Sequence, residues 1–165
     1  MLTANQASKQ QKPKYDFRGY ATVYGVECSD GKTIEVGAFE HQAGQMVPLV
    51  YMHGHTEITN VLGHVLLRPD NKGVLVEGYF NETITGTHGK KSVQNRDIKH
   101  MSIWANKSKH VNGRVSYAVI REVSLVLAGA NPLAKIEEVI IHSDDEFGME
   151  TYLDDEFIIH SGLAF

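Results

Sequence analysis

Short runs in which apolar and polar residues alternate, each closed by Gly, Asp, Asn or Pro, follow one another from residue 15 to residue 141. A period of two marks half-buried strands, and many short strands between turn signals predict an all-β barrel or sandwich. Residues 20–24 are aromatic and β-branched, Ser29-Asp30-Gly31-Lys32 supplies a turn, and residues 33–36 resume the alternation, which predicts a first hairpin. Residues 38–45 predict a short helical turn, and the apolar run 47–52 predicts a strand with Pro48 near its start or edge. Segments 61–67 and 74–80, joined by Pro69-Asp-Asn-Lys-Gly73, predict a second hairpin. The polar stretch 83–98, with Gly86 and Gly89 early in it, reads as a flexible loop followed by a helical turn or two from residue 91. A strand over 99–105, a turn through 106–113 and a long strand over 114–127 come next. In that long strand Val115, Tyr117, Val119, Val123, Leu125 and Leu127 share one face, the predicted core, opposite Arg114, Ser116, Glu122 and Ser124. Residues 133–141 fit a strand or a helix equally, since Leu133, Ile136, Val139 and Ile140 also form a helical stripe.

Length adds that one domain with tails is all that 165 residues hold. Hydrophobic residues at 42% and charged ones at 22% exclude wholesale disorder. The single cysteine, Cys28, excludes an internal disulfide, and its neighbours Glu27 and Asp30 are the wrong charge to activate a thiolate. No apolar run approaches the roughly 18 residues a bilayer span needs, and residues 1–14 carry no signal-peptide core, so a cytoplasmic protein is expected. The net charge of -4 is unevenly spread: residues 143–165 hold seven of the 20 acids and no Lys or Arg, leaving 13 acids against 16 bases before them. The domain is therefore expected over 15–142, between a flexible arm, 1–14, and a mobile acidic tail, 143–165. Lys9, Lys12 and Lys14 make the arm basic, but the body's small positive excess falls far short of a nucleic-acid-binding stripe.

Candidate chemistry centres on the end of the 47–52 strand. His53, His55 and Glu57, spaced by two, would project from one strand face, as ligands for zinc, iron or manganese in a cupin-like β-barrel enzyme would. A nucleophile reading is motivated elsewhere: Ser102 lies among Met101, Ile103 and Trp104, and Glu122 lies inside an apolar, β-branched strand, where a carboxylate without a partner is costly. Ser124, two residues from Glu122 on the same face, is the rival nucleophile and reads better as a neighbour of the site.

Several blocks in one order carry a resemblance: Gly19-Tyr-Ala-Thr-Val-Tyr24, Gly37-Ala-Phe39, the strand ending in His53, Leu62-Gly-His-Val65, Gly73-Val-Leu-Val-Glu-Gly78, Met101-Ser-Ile103, and Arg121-Glu-Val-Ser-Leu-Val126 with Ala130-Asn-Pro132 and Ala134. Over residues 17–136 the chain resembles the prohead, or capsid maturation, serine proteases of tailed phages, which are similar to the herpesvirus assemblins. Gly54, Trp104-Ala105 and Gly129 depart from that pattern. The resemblance implies a mainly β fold with short helices, an assemblin-like β-barrel. It implies a serine endopeptidase that cleaves capsid and scaffold proteins, itself included, inside the assembling prohead in the host cytoplasm. Residue by residue it implies Ser102 as nucleophile, His53 as base and Glu122 as orienter, with no cofactor and no metal. Capsid and scaffold proteins are the implied partners, with no membrane and no specific nucleic acid, and a homo-oligomer is compatible with it. A non-catalytic capsid-assembly or scaffolding module, motivated by the acidic tail and the lysine-rich arm, stands as the alternative outside catalysis.

Overall fold

The computed structural model describes residues 14–141 and the backbone of the strand at 158–161. The chain is mostly β. Strands β1 (Phe17–Val23), β2 (Thr33–Ile34), β3 (Met46–Tyr51), β4 (Val61–Pro69) and β5 (Gly73–Phe80) precede one helix, α1 (Ile84–Gln94). After it come β6 (His100–Val111), β7 (Arg114–Val126), β8 (Ile136–Ile141) and β9 (Ile158–Ser161). The sheet runs β2-β7-β3-β4-β5-β1-β8-β9, with β6 on β7, and it does not close. Between β6 and β8 there is a seam, spanned near its end by the His100–Lys135 bridge and by two backbone hydrogen bonds, Met101 N–H to Ala134 O and Ile136 N–H to Lys99 O. Phe17, Phe39, Leu49, Leu67, Met101, Ile120 and Leu125 fill the space inside the curved sheet, each under 2% exposed.

The β4–β5 hairpin forms where its turn residues place it. Asp70 organises the turn, accepting from Lys72 N–H at 2.7 Å, Gly73 N–H at 2.9 Å and the Tyr20 hydroxyl of β1 at 2.6 Å. Within the ladder, Gly63 faces Phe80, and a Cβ there would lie 1.9 Å from Tyr79 O, so only glycine admits this approach of β4 to β5.

Four local expectations change. The turn at residues 29–32 forms, but the short strand after it, β2, pairs in parallel with β7; β1 takes β5 and β8 as partners. Residues 84–94 are helical throughout, capped by the Thr83 hydroxyl on Gly86 N–H at 3.0 Å. The two glycines that suggested a loop instead let α1 lie close to the sheet: a Cβ on Gly86 would meet Asn81 O at 2.1 Å, and one on Gly89 the Leu62 and Phe80 side chains at 3.1 Å. The β6–β7 hairpin is longer than its polar residues 106–111 suggested, and its turn is the two-residue Asn112-Gly113, both at positive φ. Finally, β7 carries a bulge: Trp104 faces Glu122 while Ala105 faces Ile120, so Arg121 is the extra residue. The phase slips by one, which puts Ala118 and Ile120 in the core with Val123 and Leu125, leaves Tyr117 and Val119 half-buried, and Leu127 exposed.

Residues 136–141 resolve as a strand, with Ile136, Val139 and Ile140 buried. The expected arm, except Lys14, and the expected tail lie outside the described residues, apart from 158–161, which pair in parallel with β8.

Burial alone would raise the Asp70 pKa, but its hydrogen bonds from Tyr20, Gly73 and Lys72 outweigh that and hold it below the ordinary carboxylate value. A depressed folded-state pKa stabilises above the unfolded value and is lost as pH falls through the folded one. Acid titration of unfolding should therefore show a steeper loss in the wild type than in Asp70→Asn, below the usual carboxylate range; equal slopes would remove Asp70 from the acid sensitivity.

Candidate active site

Three strands meet outside the core face. Strand β3 pairs with β4 on one side and, through Leu49–Tyr51, in parallel with Val123–Leu125 of β7 on the other; β6 flanks β7. In the β6–β7 ladder Ser102 stands opposite Ser124, and Trp104 opposite Glu122, so these four share the face away from Met101, Ile103, Val123 and Leu125. On that face Glu122 is 2% exposed and Ser124 fully buried.

What covers them is the turn that ends β3. Gly54 N–H donates to Tyr51 O at 2.9 Å, and the two residues between, Met52 and His53, have φ of 49° and 57°. Positive φ at two consecutive side-chain-bearing residues costs of order 1–3 kcal/mol each and persists only where neighbours impose it. Here they do: Met52 N–H donates to Leu125 O at 3.1 Å, and His53 N–H donates to Ser124 Oγ at 2.9 Å. The turn folds the imidazole back over β7.

There its two nitrogens find two partners. Nδ1 lies 2.6 Å from Glu122 Oε1, and Nε2 lies 3.1 Å from Ser102 Oγ. The second carboxylate oxygen, Oε2, accepts from the Ser124 hydroxyl at 2.8 Å, and Ser124 Oγ is also 3.2 Å from Nδ1. A carboxylate only accepts, so the ring proton belongs on Nδ1, which leaves the Nε2 lone pair facing the Ser102 hydroxyl. The His53 side chain is 37% exposed and that of Glu122 3%, so the chain of contacts runs from the interior to a solvent-reachable serine. Chemically, such an arrangement can draw a proton from Ser102 and hold the resulting positive charge against a buried carboxylate.

The structure thus gathers Ser102, His53 and Glu122, and places Ser124 as their buried neighbour. It does not gather His53, His55 and Glu57. Strand β3 stops at Tyr51, so these three lie in the turn and the lead-in to a 3-10 turn, not on one strand face; the His55 ring stacks on Trp104 with centroids 4.6 Å apart. Among the described residues no group of three or more His, Cys, Asp or Glu is placed to hold a metal ion. His64 stacks on Tyr79, and His100 begins β6; neither contacts the buried carboxylate. The stretch 83–98 is α1 with its caps and the short segment that leads into β6. The cleft of about 350 Å³ beside Ser102 is walled by residues from the 28–34 segment, the β6 edge and Ala130-Asn131. Nothing in the sequence marked these segments as the walls of one cleft, because the topology alone brings the three together. Among the described residues no helix is long and apolar enough to cross a membrane.

A family model described as caudovirus prohead serine protease matches residues 3–149. No curated protein and no solved structure matches the chain.

Removing the Ser124 hydroxyl strips a donor from a buried carboxylate and an acceptor from the His53 N–H. Ser124→Ala should lower the free energy of unfolding by roughly 1–3 kcal/mol, whereas Ser116→Ala, at an exposed position, should stay within about 0.5 kcal/mol. Equal effects in denaturant titrations would show that the His53 turn holds its shape without Ser124.

Proposed function

The chain belongs to the caudovirus prohead serine protease family, and we propose that its peptide-bond cleavage runs through Ser102 as nucleophile, His53 as general base and acid, and Glu122 as the group that orients His53. The observation that carries this reading is the single imidazole spanning Glu122 Oε1 at 2.6 Å and Ser102 Oγ at 3.1 Å. Ser102 Oγ adds to the scissile carbonyl carbon as its proton passes to His53 Nε2. The tetrahedral adduct then collapses, the C–N bond breaks, and Nε2 returns that proton to the departing amine, leaving an ester on Ser102. A water, deprotonated by the same Nε2, cleaves the ester, and the proton goes back to Ser102. Throughout, Glu122 keeps Nδ1 protonated and stabilises the imidazolium, while Ser124 keeps Glu122 in place.

Ser124 is the weaker nucleophile candidate, because it is fully buried and its hydroxyl is already committed to Glu122 Oε2. Capsid and scaffold proteins of the assembling prohead are the substrates this proposal assigns, a reading that membership of a prohead protease family supports, and cleavage of the chain itself is part of the same proposal. The acidic tail and the lysine-rich arm then accompany a protease and do not replace its activity, as a purely scaffolding role would require.

Incubation of the purified protein with its capsid precursor, with products identified by mass spectrometry, tests the reading. Specific cleavage is expected in the wild type; Ser102→Ala should lose at least about 10³-fold in rate with its fold intact, and Glu122→Gln about 10²- to 10⁴-fold. His55→Ala and added chelator should leave the rate within about tenfold, since His55 only stacks on Trp104 and the proposed steps use no metal. Undiminished cleavage by Ser102→Ala, or activity that vanishes on chelation, would overturn it.

A further inference from the structure

The serine-bearing strand is an edge. Met101 N–H donates across the seam to Ala134 O at 3.0 Å, the last such contact along β6. Successive strand residues turn their backbone groups to alternate sides, and the β6–β7 register is regular from Met101 to Ile103. Ile103 therefore aims its N–H and C=O at the same open side as Met101, where, among the described residues, no strand lies and neither group has a partner. An unpaired strand edge is a template for an extended peptide.

Along that edge runs the cleft of about 350 Å³ that begins at Ser102. Apolar side chains make up much of its floor: Ile34, Phe39 and Ala118 are all buried, and Ala105 lines it from β6, while the buried polar residues there, Thr22 and Asn131, are already hydrogen-bonded to each other at 3.2 Å. The Cys28 thiol also lines it, and burial first, then the nearby Asp30, raises its pKa, so it remains a neutral, weakly polar group. The charges among the lining residues, Asp30 and Lys32, pair with each other at 2.9 Å with both side chains about half exposed, which puts them at the rim. A charged side chain pushed past that rim would lose its water and find no partner.

We propose that the substrate binds as an added strand on the free edge of β6, its backbone hydrogen-bonding to Ile103, and that a side chain adjoining the scissile bond enters the cleft, which selects an uncharged, medium-sized apolar residue there. This rests on Ser102 being the nucleophile and adds to it what the enzyme reads in its substrate. The seam left open in the sheet is then the place the substrate strand occupies.

A randomised peptide library, its products read by mass spectrometry, should show Leu, Met, Ile or Val enriched at one position next to the cut, with Asp, Glu, Lys and Arg depleted there. Ala105 is half-buried beside empty space, so Ala105→Leu fills the cleft without displacing the core. It should lower the ratio of kcat/KM for the best peptide to that for its alanine analogue by about tenfold or more. Ala130→Leu, at the half-buried mouth, serves as a second variant should the first fold poorly. N-methylation at successive peptide amides should abolish cleavage at the one that meets Ile103 C=O. Hydrolysis of p-nitrophenyl acetate by the wild type, lost in Ser102→Ala, reports the nucleophile separately. A folded wild type that turns over neither ester nor peptide overturns the nucleophile and this proposal together. Ester turnover with no library peptide cleaved, with a charged residue preferred beside the cut, or with an unchanged ratio in both filled variants overturns the cleft proposal alone.

Discussion

A carboxylate placed 2% exposed inside a β protein must have its oxygens satisfied, and the arrangement around Glu122 follows from that requirement. One oxygen takes the Ser124 hydroxyl and the other the His53 ring, so the two partners leave no lone carboxylate oxygen facing apolar side chains. To reach Glu122, the imidazole must fold back from the end of β3, and that is possible only because Met52 and His53 adopt positive φ. Ser124 links the two demands, holding Glu122 with its hydrogen and the His53 backbone with its oxygen. The parallel pairing of β3 with β7 sets the distance over which all of this happens, since Leu125 O, next along β7, also receives Met52 N–H.

The same pairing scheme leaves β6 outermost. Strand β7 sits between β3 and β2 on one side and β6 on the other, so the serine is carried on a strand whose outer edge, past Met101, pairs with no strand among the described residues, while the histidine and the carboxylate are anchored in the continuous part of the sheet. Rigidity and access are thereby separated: buried partners fix the imidazole, and the open seam leaves room beside Ser102. The bulge at Arg121 contributes as well, because it lets Glu122 face outward toward His53 while residues on both sides of it, Ile120 and Val123, stay in the core.

Much of this was legible in residue types. Polar residues inside apolar strands, Ser102 and Glu122, stood out because burial without a partner is costly, and the β4–β5 hairpin announced itself through its turn chemistry. The course of β7 did not, since one extra residue reverses which side chains face inward and nothing in the local composition marks it. Helix α1 was obscured because Gly86 and Gly89 read as loop residues by composition, whereas they serve close packing against Phe80 and Asn81 just before the helix and against Leu62 of β4, a contact that no local pattern displays. Spacing alone put His53, His55 and Glu57 on one strand face, and the early end of β3 undid that. The parallel contact of β3 with β7, on which the site's geometry rests, leaves no local trace, because it joins segments some seventy residues apart.

The most direct measurement is modification of the intact chain by a fluorophosphonate, with the adduct mapped by mass spectrometry. A relay from Glu122 through His53 to Ser102 predicts one adduct, on Ser102, absent in His53→Ala and slower to form in Glu122→Gln. No adduct on the folded protein, an adduct on Ser124, or a Ser102 adduct that forms at the same rate without His53 would contradict it.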